Sequence, residues 1–154
     1  MKLSELIKQE RFKSTDQEAL LNVLVTSSWI LTEMAATMAP YGVTPVQYNV
    51  LRILRGSHPQ TLTCSALGQR LLDRTPDVTR LLNRLERHGL ICRARAEHDR
   101  RVVEVGITEA GLALLDRMSD DIEAAERRLT GHLSPGEHQH LSRLLERMRT
   151  DQQA

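Results

Sequence analysis

The feature that most constrains the fold is a single change of hydrophobic period past the middle of the chain. Most of the sequence repeats its apolar residues at helical spacing. The segment "LICRARAEHDRRVVEVGIT", residues 90–108, is instead rich in β-branched residues and has a polar break near 96–100. This pattern predicts a two-stranded hairpin in which 90–95 pair with 101–107 and the break forms the tip. The chain is therefore predicted to be mainly α, with one small β-hairpin.

Four long or medium helical segments precede the hairpin and two follow it. The first helix is predicted to be capped by Thr15, in the capping box "TDQE". The next three are predicted to start at Pro45 in "TPVQ", near Thr63, and at Pro76 after the cap Thr75. The last two are predicted to start after the cap Thr108 and at Pro135 in the capping box "SPGE". Residues 1–13 fit a short amphipathic helix or a frayed tail equally well. The short third helix, a tight turn, the fourth helix and the hairpin follow the order of a winged helix-turn-helix, which places the second helix in the DNA major groove.

The fourth helix, "TPDVTRLLNRLERHG" at 75–89, has an apolar side and a strongly polar one. Its apolar side is Val78, Leu81, Leu82 and Leu85. Arg80 and Arg84 are four residues apart on the polar side, where arginine can bind guanine or phosphate. The predicted DNA-contacting residues are Arg74, Thr75, Asp77, Thr79, Arg80, Asn83 and Arg84. An ordinary solvated helix with surface arginines is the alternative interpretation.

Charge is unevenly distributed along a chain whose net charge is only +1. Residues 60–103 contain nine arginines and five acidic residues, whereas residues 104–154 contain six arginines and ten acidic residues. A basic segment within a nearly neutral chain indicates a polyanionic partner, most often nucleic acid. The predicted partner is double-stranded DNA.

The predicted hairpin tip contains Asp99, Arg100 and Arg101. A narrow minor groove has an enhanced negative potential that attracts arginine, and a hairpin tip is thin enough to reach it. An extended arginine needs a partner that holds its guanidinium, and Asp99 is the predicted partner. The alternative is a solvated turn with an internal ion pair, worth about 0–1 kcal/mol.

At this point the sequence resembles the MarR family of transcriptional regulators. The resemblance rests on Val78-Thr79-Arg80-Leu81, Leu85-Glu86, Gly89-Leu90, Arg93, Asp99-Arg100-Arg101 and Thr108 to Gly111, together with "GVTPVQYNVLRIL" at 42–54. It covers roughly residues 16–150. Two positions depart from the family pattern: Ile107 stands for the usual leucine, and Asn83 stands for a usual aspartate, which removes a negative charge near the DNA.

The resemblance implies a single domain over 1–154 with two lobes. Residues 43–107 would form the winged helix-turn-helix lobe, and 1–40 with 108–154 would form a helical dimerisation lobe. It further implies a homodimer that represses transcription from a pseudo-palindromic operator, with Arg101 entering the minor groove. The apolar stripes at 112–129 and 141–148 agree, since large exposed apolar patches usually mark interfaces.

The resemblance also implies an effector. Many of these regulators lose DNA affinity when a small aromatic or phenolic acid binds between the lobes. The candidate pocket residues here are Trp29, Met38, Tyr48 and Arg52, and core or dimer packing is the alternative interpretation of the same four.

Other functions receive less support from the sequence. No Gly-rich phosphate loop, G-x-S-x-G elbow or H-E-x-x-H motif is present, so no enzyme activity and no cofactor are predicted. His132, His138 and His140 are close together, but residues two apart on a helix point to different faces, so no metal site is predicted. Two alternatives stay open: a winged helix used for protein contacts alone, and redox sensing by Cys64 or Cys92.

The location of the protein is predicted from what the sequence lacks. The N-terminus has no apolar segment typical of a signal peptide, and no stretch is expected to reach the ~20 apolar residues of a membrane span. A cytoplasmic protein that does not enter the membrane is therefore expected.

Overall fold

The computed structural model describes residues 1–72, 77–96 and 99–150. It is mainly helical with a small antiparallel sheet, as the sequence predicted. The elements are α1 (Leu3–Ile7), α2 (Thr15–Met38), a 3-10 turn (Ala39–Tyr41), α3 (Pro45–Ser57), β1 (Leu62–Thr63), α4 (Cys64–Arg70), α5 (Val78–Arg87), β2 (Ile91–Arg95), β3 (Val103–Ile107), α6 (Glu109–Thr130) and α7 (Pro135–Met148).

The predicted hairpin is confirmed, and the sheet contains one strand more than predicted. β2 and β3 pair antiparallel from Ile91 opposite Ile107 to Arg95 opposite Val103. The additional strand β1 pairs with the other side of β3, so the order is β1-β3-β2. β1 has only two residues, Leu62–Thr63, which is too short to produce a period-2 signal in the sequence.

Several predicted helix starts are confirmed by their caps, but two lie elsewhere. Thr44, Thr108 and Ser134 cap α3, α6 and α7, as expected. The predicted cap Thr15 is wrong: Ser14 caps α2, its hydroxyl accepting from the backbone N–H of Gln17 at 3.2 Å. Adjacent Ser and Thr are both good caps, so the sequence alone does not choose between them.

The start of α5 also differs from the prediction. Its N-cap is Asp77, whose carboxylate accepts from the backbone N–H of Arg80 at 3.1 Å, so the helix begins at Val78. The predicted cap Thr75 and the predicted first helical residue Pro76 lie outside the described residues. Aspartate is as good a cap as threonine, and Asp77 sits one turn before the buried Leu82.

One continuous apolar core lies between α3, α4, α5, the sheet and α6. Its members with almost no exposure are Val50, Leu51, Leu54, Leu67, Leu82, Leu85, Val105 and Met118, with Met38 at the end of α2. Thr108 joins the hairpin to α6 because its hydroxyl donates to the Gly89 carbonyl at 2.6 Å and accepts from the Gly111 N–H at 3.1 Å. This contact links the turn after α5 to the start of α6.

The outer helices leave much of their apolar surface uncovered. α2 exposes Leu20, Leu24, Trp29 and Leu31, and α7, which the structure describes in full, has no buried residue at all. The expectation that no segment resembles a membrane span is wrong for Thr15–Tyr41, where a stretch reaches a mean hydropathy of 1.4. The serines and threonines of α2 lower its hydropathy little, so the segment is long and apolar enough to cross a membrane, by length and composition only.

Candidate nucleic-acid interface

The polar side of α5 is organised by its cap and by its buried residues. Leu82 and Leu85 are buried, which turns Thr79, Arg80, Asn83 and Arg84 to the exposed side. Val78 and Leu81, also predicted to face inward, are only partly buried against the core. The buried and exposed sides of α5 are therefore those that the sequence predicted.

A broad open cleft of about 620 Å³ lies between α5, the start of α3 and β2. It is lined by Thr44, Gln47, Arg80, Leu81, Asn83, Arg84, Glu86, Arg87 and Arg93. Four arginines and one acidic residue give this surface a strong positive charge. The N-terminal end of α3 adds its partial positive charge to the same cleft.

Arg80 on α5 is held by an exposed contact at the start of the helix. Arg80 forms an exposed ion pair with the Asp77 carboxylate, Nε to Oδ2 at 3.3 Å. Because both side chains are exposed, this pair is worth little and can open toward another anion. The structure thus places Asp77 beside Arg80, while Arg74 and Thr75 lie outside the described residues.

Arg93 on β2 lines this cleft but was not among the predicted DNA-contacting residues. The other lining residues that the prediction omitted are Thr44, Gln47, Leu81, Glu86 and Arg87. Its guanidinium donates to the Glu86 carboxylate through Nε at 3.0 Å and through Nη2, and Nη2 also donates to Asn83 Oδ1 at 2.7 Å. The hydrogen bond to Arg93 lowers the pKa of the Glu86 carboxyl below its ordinary value, and the same contact raises the pKa of Arg93. The wing strand is thus attached to the exposed side of α5.

The hairpin tip differs from the prediction in one contact. Asp99 Oδ1 accepts from the backbone N–H of Arg101 at 2.9 Å, and its carbonyl accepts from the Val102 N–H at 2.9 Å. Among the described residues, no ion pair joins Asp99 to the Arg101 guanidinium. The aspartate therefore shapes the turn, as Asx turns do, rather than holding the arginine head. Arg100 and Arg101 are both exposed.

The four predicted pocket residues are not all brought together. Tyr48 and Arg52 line a second cleft of about 390 Å³ between α3 and α6. Arg52 donates to the Tyr48 hydroxyl at 3.1 Å, which raises the pKa of the arginine. Met38 is instead buried in the core, and Trp29 is 46% exposed on α2. Glu123 and Glu126 from α6 complete the cleft, and they make it more polar than the prediction implied.

The cysteines considered for redox sensing and the histidines considered for metal binding line neither of the two clefts. Cys64 is partly buried as the first residue of α4, and Cys92 is exposed on β2, with its thiol 3.7 Å from the Gly106 carbonyl. Within 1–72, 77–96 and 99–150 no group of three or more His, Cys, Asp or Glu side chains is placed to hold a metal ion. His138 lies 3.0 Å from the Thr130 carbonyl, which it contacts through Nε2.

Comparison with known proteins agrees with this architecture. A sequence model of the MarR family matches residues 41–102. The homoprotocatechuate degradative operon repressor of Escherichia coli is 31% identical over 106 residues, which are 69% of this chain and 70% of that protein.

Solved structures give the same assignment. A MarR transcription factor from Planctomyces limnophilus is 37% identical, with a TM-score of 0.69 over 88% of this chain and 98% of its own. The Streptomyces coelicolor regulator Sco3205, solved in complex with DNA, has a TM-score of 0.82 over 93% of this chain and 95% of its own. At 18% identity that second likeness concerns the fold alone. The sequence motifs, the winged helix-turn-helix and these relatives together place the chain in the MarR family of transcriptional regulators.

Proposed function

We propose that this protein is a cytoplasmic repressor that binds a pseudo-palindromic operator in double-stranded DNA as a homodimer. The observation that carries the proposal is the basic cleft, in which Arg80, Arg84, Arg87 and Arg93 meet the N-terminal end of α3. Such a surface attracts phosphate, and α5 presents Asn83 and three of these arginines on its exposed side. Repression is supported by the relative named as an operon repressor.

The role of each DNA-facing residue follows from its position. Arg80, Asn83 and Arg84 lie on the exposed side of α5, which would enter the major groove. Thr79 lies near the helix start, where backbone N–H groups attract phosphate. Arg74 and Thr75 keep their predicted DNA-binding role on the sequence pattern alone.

The hairpin supplies a second contact. Arg100 and Arg101 project at its exposed tip, and the Asp99 turn fixes the backbone from which they extend. An arginine with no ion-pair partner among the described residues can contact the minor groove without first breaking an ion pair. We assign Arg101 to the minor groove and Arg100 to the adjacent phosphates.

The homodimer accounts for the exposed apolar surface of α2 and α7. Leu20 and Leu24 share one side of α2, while Leu141 and Leu144 on α7 are 45% and 41% exposed. A second copy of the chain that covers both helices would bury them in an isologous interface. On this proposal 1–40 and 108–154 form the dimerisation lobe, 43–107 form the DNA-binding lobe, and α2 faces protein rather than lipid.

The effector site is proposed at the cleft of Tyr48 and Arg52. It lies between α3 of the DNA-binding lobe and α6 of the dimerisation lobe, so an occupant would contact both. Arg52 supplies a cation for the carboxylate of a small aromatic or phenolic acid, and the Tyr48 ring, 5.8 Å from that cation, supplies an aromatic wall.

The test is fluorescence anisotropy with the DNA upstream of the gene, a scrambled duplex as control, and a salt titration. The proposal predicts selective binding that weakens steeply as salt rises, and loss of that binding in Arg80→Glu. The exposed Arg143→Glu on α7 gives the same change of charge away from the cleft and is the matched control. Unchanged binding by Arg80→Glu would contradict the proposal, and equal weak binding to both duplexes would favour a protein-interaction module.

A further inference from the structure

The contact between Arg93 and Asn83 constrains what α5 can recognise. Arg93 is held from the other side by Glu86 and its side chain is only 24% exposed, so its guanidinium has little freedom. Asn83 is exposed on the same cleft, and its Oδ1 accepts from Arg93 Nη2 at 2.7 Å.

The chemistry of the two side chains fixes which end of the Asn83 amide faces outward. A guanidinium has donors and no acceptor, so the amide atom beside it must be the oxygen. The Nδ2 group, with its two protons, is then left for a contact outside the protein. An aspartate at this position would place a second oxygen there, which repels phosphate and base acceptors.

We propose that Asn83 is a specificity-determining residue that donates from Nδ2 to an acceptor on a base edge, with Arg93 as its positioning residue. The inference rests on the proposed DNA-binding function. Acceptors in the major groove are N7 of guanine and of adenine, guanine O6 and thymine O4. The two-point contact of asparagine with adenine needs Oδ1 on the base as well, and here Oδ1 faces Arg93.

The first experiment compares base preference rather than affinity alone. Preferred duplexes are selected from a randomised pool with the wild-type protein, and each base pair is then varied singly. Asn83→Asp and Asn83→Ala should each lose about tenfold of discrimination at one base pair per half-site and keep the other preferences. If the contacted acceptor is guanine N7, 7-deazaguanine should lower wild-type affinity several-fold and leave Asn83→Ala unchanged.

The second experiment tests the positioning role of Arg93. Arg93→Met removes the donor to Oδ1 and should lose discrimination at the same base pair as Asn83→Ala, with the double variant no worse than either one. Arg93→Lys keeps a donor and should restore part of the preference. Arg95→Gln, two residues along the same strand, is the matched control: loss of a phosphate contact there would weaken all duplexes equally.

The outcomes distinguish a failure of this inference from a failure of the proposed DNA-binding function. Selective wild-type binding with an unchanged profile in both Asn83 variants would overturn the inference and leave the proposed function standing. So would an adenine preference that depends on both N6 and N7 of the base. Wild-type protein that shows no selective binding would overturn both. Because Asn83 is exposed, its variants stay informative even if Arg93→Met does not fold.

Discussion

Two regions of this chain differ in the burial of their apolar residues. Between α3, α5, the sheet and α6 the leucines and valines are enclosed within one chain, and Val50, Leu51 and Leu85 have no exposure. On α7 the stripe of Leu141, Leu144 and Met148 is open to solvent. On the proposed homodimer, the DNA-binding lobe obtains its rigidity from its own core, whereas the outer helices are covered by a second chain. The stability of the outer helices should then depend on protein concentration.

The sharpest way to break the comparison is to make the open stripe polar. Leu141→Glu together with Leu144→Glu should raise the dissociation constant of the proposed homodimer at least about 1000-fold, because an isologous interface doubles each loss. Sedimentation equilibrium measures this. Gln139→Glu on the opposite side of α7 is the control and should change little. Unchanged association in the double variant would show that α7 is not the interface.

The enclosed region can be broken at Gly111, where α6 begins. A Cβ there would overlap the Leu90 carbonyl oxygen and approach Ile107 Cγ1 to 2.7 Å. Gly111→Ala should therefore lower the free energy of unfolding by about 3 kcal/mol, although alanine is the better helix former. Denaturant unfolding measures the change. Gly136→Ala in α7, where nothing lies within 4 Å, should leave stability equal or slightly higher. Equal effects at the two sites would refute this account of the packing.

A smaller effect is expected at the hairpin tip, which takes no part in the core. Arg101→Ala should weaken operator binding about tenfold and reduce the salt slope by about one for each wing, with stability unchanged. Anisotropy at several salt concentrations gives both numbers. Thermal unfolding of the same variant checks that the fold is intact. An unchanged affinity would remove the wing from the mechanism.

The smallest expected effect is the loss, at low pH, of the ion pair between Glu86 on α5 and Arg93 on β2. Arg93 holds the pKa of Glu86 below its ordinary value, so the pair is intact above that value and is lost only as the pH falls through the lowered pKa. A carboxyl-carbon NMR titration should give a Glu86 midpoint below that of free glutamate. Arg93→Met should move this midpoint upward. A midpoint that is the same in both proteins would contradict the ion pair.

Local chemistry made much of the fold predictable. The Thr44 and Gln47 capping box, the left-handed Gly89 and the Thr108 cap all act within a few residues, so the sequence specifies them directly. The hairpin followed from one change of period, whereas its register, Ile91 opposite Ile107 to Arg95 opposite Val103, did not. Ser14 and Asp77 replaced the predicted caps because neighbouring side chains of equal capping strength compete.

The missed features of the site depend on contacts between distant elements. Arg93 reaches Asn83 only because β2 lies across α5, and no spacing within either element encodes that contact. The same limit applies to Met38, whose helical position is compatible with a pocket or a core and which the structure places in the core. The sequence predicted that Asp99 holds the guanidinium of Arg101, whereas in the structure its carboxylate accepts from the backbone N–H of Arg101.

The measurement that most directly tests the central claim is hydroxyl-radical footprinting of the selected operator. A homodimer with α5 in the major groove and the hairpin in the minor groove predicts two protected regions whose centres lie about one helical turn, ~34 Å, apart. Each should be flanked by minor-groove protection that disappears in Arg101→Ala. One protected region, or protection that the variant leaves unchanged, would contradict the account.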